Sequence, residues 1–200
     1  MQPLSADKGM DESTISELFN NITANNDQAA FRAFYNHFFV TLLRFSYTLT
    51  HSKETAEEIT NDVFMHCWEK RTSLSHIKNP QVYLFVIAKN KSIDHLRKQA
   101  SSRQVVFEEE EKMEIAFDSN PEQLMISAEM VRKMEFAIQQ LPPKCKMVFT
   151  LIKQNGMKYK EVATVLNLSV KTVENQLAIA MKRLTATVNF TLGTTPKPVK

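Results

Sequence analysis

The sequence predicts an all-α protein: two helical domains joined by an acidic flexible linker, the second containing a helix-turn-helix. Three observations predict it. Apolar residues recur at spacings of three and four through most of the chain. No alternating apolar and polar run bounded by turn residues offers a hairpin. A polar, aperiodic stretch from Ser101 to Glu122, containing the acidic run Glu108 to Glu111, separates two periodic halves.

In the first half, Phe31, Phe34, Tyr35, Phe38, Leu42, Phe45 and Leu49 define one face of a long helix over Ala29 to Thr50. His51-Ser52-Lys53 reads as a turn, and Thr55 to Lys70 repeats the pattern with Ile59, Val63, Cys67 and Trp68. Asn79-Pro80 pairs an N-cap residue with proline at the first helical position, so a third helix starts near Pro80. Its opening run, Val82 to Ile87, also suits a buried strand. Ile93 and Leu96 continue the helical spacing, which favours a helix to about Lys98.

Ser119-Asn120-Pro121 closes the linker. An amphipathic segment then runs from Leu124 to Gln140, Leu141-Pro142-Pro143 interrupts it, and a helix spans about Pro143 to Gln154 before Asn155-Gly156 stops it. The predicted organisation is a tail over residues 1–26, a helical domain over 27–100, the linker over 101–121, a second helical domain over 122–188 and a tail over 189–200.

Composition excludes several function classes. Gly9, Gly156 and Gly193 lie too far apart to build a phosphate-cradling loop or a dinucleotide fingerprint. Cys67 and Cys145 belong to no metal-ligand cluster, and His37, His51, His66, His76 and His95 show no metal or triad spacing; no cofactor is expected. There is no Gly-x-Ser-x-Gly elbow. An enzyme is therefore not expected. The longest apolar stretch, Val82 to Ala88, is far short of the roughly 20 residues a bilayer-spanning helix needs, and the N-terminus lacks a secretory pattern. No membrane insertion is expected, and the unclustered cysteines fit a cytoplasmic protein.

The formal net charge of +3 conceals segregation. Residues 71–104 carry +6, residues 105–122 carry −6, and residues 157–200 carry +5. Two basic blocks around an acidic connector suit two modules that each meet a polyanion, although solvated helix surfaces produce the same pattern.

Lys158 to Leu184 reads as the helix-turn-helix. Tyr159, Val162, Ala163 and Leu166 form the stripe of a short helix, Asn167 tolerates the turn, and Ser169 caps the next helix. Val173, Leu177, Ala180 and Leu184 supply the second helix's buried stripe, leaving Lys171, Thr172, Glu174, Asn175, Gln176, Ala178 and Lys182 to face outward. Such a helix suits the major groove, with amide, hydroxyl and ammonium groups toward base edges. The bland reading is a helical hairpin packed on another protein. Glu174 is awkward near phosphates unless it accepts from cytosine or pairs with a neighbouring cation.

In the first module, Asn90, Lys91, Asp94 and Lys98 share one side of the third helix, with Arg97 at its border. The polar loop Ser73 to Asn79 lies upstream, and Tyr83 and Phe85 follow it. A loop of small polar groups beside an aromatic can hold an unstacked base, because base-aromatic stacking is worth about 1–3 kcal/mol. Tyr83 fits either that role or the core, and Phe85 fits the core better.

Ala56-Glu57-Glu58-Ile59-Thr60-Asn61-Asp62-Val63-Phe64 with Trp68, Tyr83-Leu84-Phe85-Val86-Ile87-Ala88-Lys89-Asn90 with Ile93-Asp94-His95-Leu96-Arg97-Lys98, Leu141-Pro142 and the helix-turn-helix together resemble the extracytoplasmic-function sigma factors of bacteria. The match covers about residues 27 to 188. The resemblance implies a region 2-like domain that holds the promoter's −10 element and a region 4-like domain that binds the −35 element, with core RNA polymerase, promoter DNA and a separate anti-sigma factor as partners. It implies polymerase docking through Glu57, Glu58, Asp62 and Trp68. A flipped −10 base would lie in the loop carrying Ser73, Leu74, Ser75, His76, Lys78 and Asn79, beside Tyr83. Asn90, Lys91, Asp94, Arg97 and Lys98 would lie near upstream DNA, and the linker would thread toward the RNA exit channel. Lys89 stands where arginine is commoner in the family. Lys171 is the one base in the recognition helix's first turns, so the −35 preference is this chain's own.

Two other classes stay open at this level: an autonomous dimeric helix-turn-helix regulator reading a palindrome, and a helical interaction protein whose basic blocks are merely solvated. The linker, at 3.3–3.6 Å per residue, spans at most roughly 70 Å, enough for the modules to reach sites about two duplex turns apart.

Overall fold

In the computed structural model, residues 10–101 and 133–191 are described, with side chains over 10–100 and 133–186. The chain divides into two units, Met1–Glu111 and Lys112–Lys200. Every described element is helical. The acidic linker, including Glu108 to Glu111, falls outside the described residues except for Ser101, which is helical.

Unit 1 is a bundle of four helices: α1 (Glu12–Asn25), α2 (Gln28–Thr50), α3 (Lys53–Lys70) and α4 (Pro80–Ser101). Capping explains each start. Asp11 accepts from the backbone N–H of Thr14, Asp27 from Ala29 and Ala30, Ser52 from Thr55, and Asn79 from Val82. Asn26 and His51 end α1 and α2 in the left-handed conformation, which asparagine and histidine tolerate better than most residues.

The expected tail over residues 1–26 is corrected by α1. Ile15, Phe19 and Ile22 recur at helical spacing and are buried, and the Phe19 ring lies 5.7 Å from that of Phe34. Helix α2 is the spine of the unit. Phe34, Phe38, Leu42 and Phe45 run down its length fully buried, while Phe31 packs on Trp68 at 4.9 Å and Phe45 meets Phe85 edge-on at 5.1 Å. The run Val82 to Ile87 is helical rather than extended, and α4 buries Leu84, Phe85, Ala88 and Ser92.

Unit 2 comprises α5 (described over 133–139), α6 (Pro143–Phe149), α7 (Tyr159–Leu166) and α8 (Val170–Thr191). Helix α6 continues into a π-turn over Thr150–Gln154, where the Asn155 N–H donates to the Thr150 carbonyl at 3.1 Å. The helix therefore ends at Gln154 as expected, but its last turn is wider than periodicity reveals. Gly156 follows at φ 66°, a conformation glycine adopts at little cost. Val148, Leu151, Met157, Val162, Val165, Val173, Leu177, Ala180 and Leu184 form the core. The predicted stripe of α7 shifts by one residue at its C-terminal end: Val165 is fully buried and Leu166 only partly, while Tyr159 is 40% exposed. Helix α8 continues to Thr191, three residues into the stretch expected to be a tail.

Candidate nucleic-acid interface

The turn between α7 and α8 has the geometry a helix-turn-helix requires. Asn167 adopts φ 54°, ψ 52°, and the Leu168 N–H donates to the Ala163 carbonyl at 2.9 Å. At the start of α7, the Glu161 carboxylate accepts from the Lys158 N–H at 2.7 Å. The Ser169 hydroxyl accepts from the Thr172 N–H at 3.0 Å and lies 2.8 Å from the Thr172 hydroxyl, which is thereby drawn into the cap of α8.

With Val173, Leu177, Ala180 and Leu184 inward, Lys171, Asn175, Ala178 and Lys182 are exposed on the opposite face. Glu174 finds the partner its charge requires: Lys171 Nζ lies 3.4 Å from its Oε2. Gln176 departs from the sequence expectation. It is half-buried on the flank of α8 nearest α6, and its Oε1 accepts from the buried Cys145 thiol at 3.0 Å. Periodicity placed it outward because it lies off the buried stripe, but α6 covers that flank. Ile179, 43% exposed and one turn beyond Asn175, was missed. Its signal was an apolar residue off the buried stripe.

In unit 1, Glu57, Glu58 and Asp62 are exposed along α3, as is Asn61, which accepts from the Tyr35 hydroxyl at 3.3 Å. Burial, then the Glu57 carboxylate, raises the Tyr35 phenol above its ordinary range. Met65, 56% exposed and three residues beyond Asp62, adds an apolar patch that sequence reasoning did not single out. Trp68 is not a free surface aromatic. Its ring packs on Phe31 on one side and carries the Arg71 guanidinium at 4.3 Å.

Arg71 also donates to the Trp68 carbonyl and to Asn26 Oδ1, each at 2.6 Å, tying the loop's start to the end of α1. Within the loop, Ser73, Ser75, His76 and Lys78 are exposed, but Leu74 is 5% exposed and anchors the loop in the core, which removes it from any polar contact surface. Asn79 spends its side-chain oxygen on the cap of α4. Tyr83 is half-buried on α4 with its hydroxyl 3.3 Å from His66 Nε2, and burial raises its phenol. The loop's concave side instead faces α1. A hollow of about 280 Å³ is lined by Ser16, Phe19, Asn20, Ser75, Ile77, Lys78 and Pro80.

Along α4, Asn90, Asp94, Arg97 and Lys98 are exposed, with Arg97 3.5 Å from Asp94. Lys91 reaches across to α3 and donates to Asp62 at 2.8 Å. The two faces that the sequence kept apart thus meet at one ion pair. Among the described residues, no cluster of His, Cys, Asp or Glu could hold a metal ion, and no helix is long and apolar enough to cross a membrane.

Residues 34–102 match the family model described as sigma-70 region 2, and residues 132–184 match sigma-70, region 4. The ECF RNA polymerase sigma factor RpoE of Cereibacter sphaeroides is 26% identical over 175 residues, covering 84% of this chain and 91% of that protein. The ECF RNA polymerase sigma factor SigE of Mycolicibacterium smegmatis is 24% identical over 139 residues, covering 67% of this chain; this chain spans about half of that protein's length. The fold resembles that of the sigma factor RpoE solved in complex with the anti-sigma factor NepR from Bartonella quintana, with a TM-score of 0.60, 20% identity, and 79% and 98% of the two chains covered. With two family models in chain order taking in more than half of the residues, this chain belongs to the sigma-70 family of RNA polymerase sigma factors, in its extracytoplasmic-function group.

Proposed function

We propose that unit 2 reads the −35 element through α8 while unit 1 docks on core RNA polymerase and holds the −10 element, the two acting only as part of a holoenzyme. A sigma factor is an initiation factor and not an enzyme, so the residues' work is binding and positioning. The observation that carries the reading is the helix-turn-helix itself: a capped recognition helix with a closed apolar side and Lys171, Asn175, Ala178 and Lys182 on the open side.

Lys171 and Lys182 supply phosphate or base contacts, Asn175 reads a base edge, and Ala178 with Ile179 offers apolar contact to a thymine methyl. Thr172 and Glu174 act from the cap and from the Lys171 pair. In unit 1, Glu57, Glu58, Asp62 and the neighbouring Met65 form the docking face, with Trp68 stiffening the helix end behind it. The hollow between α1 and the loop, with the Phe19 and Pro80 sides apolar and Ser75 and Lys78 at its rim, accepts one unstacked base. Its volume falls just below the roughly 300 Å³ at which drug-sized pockets begin, which suits a single ring system. His76 and Ser73 flank that entrance, and Asn90, Lys91, Asp94, Arg97 and Lys98 face the upstream duplex.

The acidic linker threads into the polymerase. An anti-sigma factor holds the chain inactive in the cytoplasm, a partner class found on the structural relative. The deciding experiment is run-off transcription from a genomic DNA pool by core polymerase plus this chain, with the new 5′ ends mapped. New, discrete start sites are expected. Tight binding of a palindrome by the chain alone, with no polymerase dependence, would falsify the reading.

A further inference from the structure

The hollow in unit 1 has two walls from different parts of the chain: Ser16, Phe19 and Asn20 belong to α1, and Ser75, Ile77 and Lys78 to the loop between α3 and α4. Ser16, Asn20 and Thr23 stand on α1 at spacings of four and three, and Asn26 follows three residues later as its C-cap. At that end Arg71, the first residue after α3, donates from Nε to Asn26 Oδ1 and from Nη1 to the Trp68 carbonyl, each at 2.6 Å, with its guanidinium 4.3 Å from the Trp68 ring centre. The loop is also fixed on its own side. Leu74 is buried, the Ile77 N–H donates to the Leu74 carbonyl at 2.9 Å, and Asn79 caps α4 through the Val82 N–H at 3.0 Å. The Arg71 bond to Asn26 crosses instead to α1, joining the elements that supply the two walls.

We propose that Arg71 is the positioning residue of the −10 site: by holding Asn26 it fixes α1 against the loop, so that the hollow keeps the width at which it captures an unstacked base. The proposal rests on the hollow being the base site. Arginine suits the task because its N–H groups leave a planar fork in set directions, and stacking on Trp68 fixes the plane of that fork. Lysine would keep the charge but not the fork. Asn26 is equally placed for its half. It ends α1 at φ 54° and accepts the bond, so the turn between α1 and α2 and the tie to the loop are one residue. A site whose walls already stand in place takes a base without first ordering a loop, and it binds more tightly for that reason.

The experiment compares holoenzyme carrying the wild-type chain, Arg71→Lys, Arg71→Ala, Asn26→Gly or Asn26→Asp. Thermal melts of the free chains establish that each variant folds. Three affinities are measured: of the chain for core polymerase, of holoenzyme for a single strand carrying the non-template −10 sequence of a mapped promoter, and of holoenzyme for a duplex carrying the −35 element alone. Asn26→Gly keeps the left-handed turn and removes the acceptor. It should weaken −10 strand binding about fivefold or more, as should both Arg71 variants, with the other two affinities unchanged. Asn26→Asp keeps an acceptor oxygen and should bind the strand as the wild type does. In a library randomised across the −10 element, Arg71→Lys and Asn26→Gly should flatten the preference at the captured position and leave its neighbours, a change that loss of stability alone does not produce.

Wild-type strand binding by Arg71→Lys, the pattern of a phosphate contact made by charge, or by Asn26→Gly overturns the proposal while leaving the hollow as the base site. So does an equal loss of all three affinities, which marks a tie that serves the fold alone. A separate variant, Ser75→Trp, fills the hollow. If it leaves −10 strand binding intact, the base site of the proposed function is wrong, and Arg71 loses its role with it.

Discussion

Lys91 on α4 donates to Asp62 on α3 at 2.8 Å, joining the helix that carries the acidic face to the helix that carries the basic one. Both side chains are substantially exposed, so the pair contributes at most about 1 kcal/mol to folding and its greater effect is on where charge is presented. The Asp62 carboxylate thereby occupies the Lys91 ammonium, one of the cations of the basic α4.

Replacement of Asp62 by arginine is expected to abolish co-purification with core polymerase while leaving helix content unchanged and moving the melting temperature by only a few degrees. Circular dichroism alongside the pull-down checks both halves. Retained co-purification would remove Asp62 from the docking face.

Loss of the Ser169 hydroxyl bears on the recognition helix directly. Ser169→Ala leaves the Thr172 N–H without its partner and should cost about 1 kcal/mol of stability by chemical denaturation. In transcription assays it should weaken −35-dependent promoters more than promoters that carry only a −10 element. An equal effect on both classes would mean that the cap serves the fold alone.

Phe19 tests whether α1 is integral to unit 1. Fully buried against Phe34, it should cost about 3 kcal/mol or more when replaced by alanine, the range for truncating a core aromatic. A mere tail would tolerate the change, and urea denaturation distinguishes the two.

Burial pushes the Cys67 thiol up to about 12, well above the value near 8.5 expected in an unfolded chain. The folded state therefore holds this proton where the unfolded state has lost it. By linkage the stability is intact below about pH 8.5 and falls as pH rises toward 12, by up to about 1.4 kcal/mol per pH unit. Cys67→Ala should flatten that alkaline slope, measured by denaturation from pH 8 to 10.5. Thiol reagents at pH 8 should leave Cys67 unmodified until the chain is unfolded, and rapid labelling of the native chain would contradict its burial.

A reversal of charge at Lys171 should act only through DNA. Lys171→Glu places two carboxylates where one ion pair stood and is expected to eliminate −35-dependent initiation while polymerase binding persists. Loss of polymerase binding in a gel-filtration assay would show a wider structural defect.

Much of the fold was legible in the chain because helix-forming information is local. The apolar spacing of Phe34, Phe38, Leu42 and Phe45, the caps at Ser52, Asn79 and Ser169, and the turns at Asn167 and Gly156 each depend on residues within one or two helical turns. Helix α1 is equally legible, since Asp11, Ile15, Phe19 and Ile22 carry the same signals.

The candidate site was readable as a set of exposed positions, and its composition is settled by sequence: an acidic α3, a basic end of α4, and an amide- and lysine-bearing α8. Which flank of each helix is free was decided by tertiary packing alone. Gln176 is claimed by Cys145 across 31 positions, Asp62 by Lys91 across 29, and Asn26 by Arg71 across 45, while Leu74 is drawn into the core. Periodicity states the angle at which a side chain leaves its helix, but the helix that meets it there is brought by the rest of the chain, at a crossing angle that no local pattern encodes.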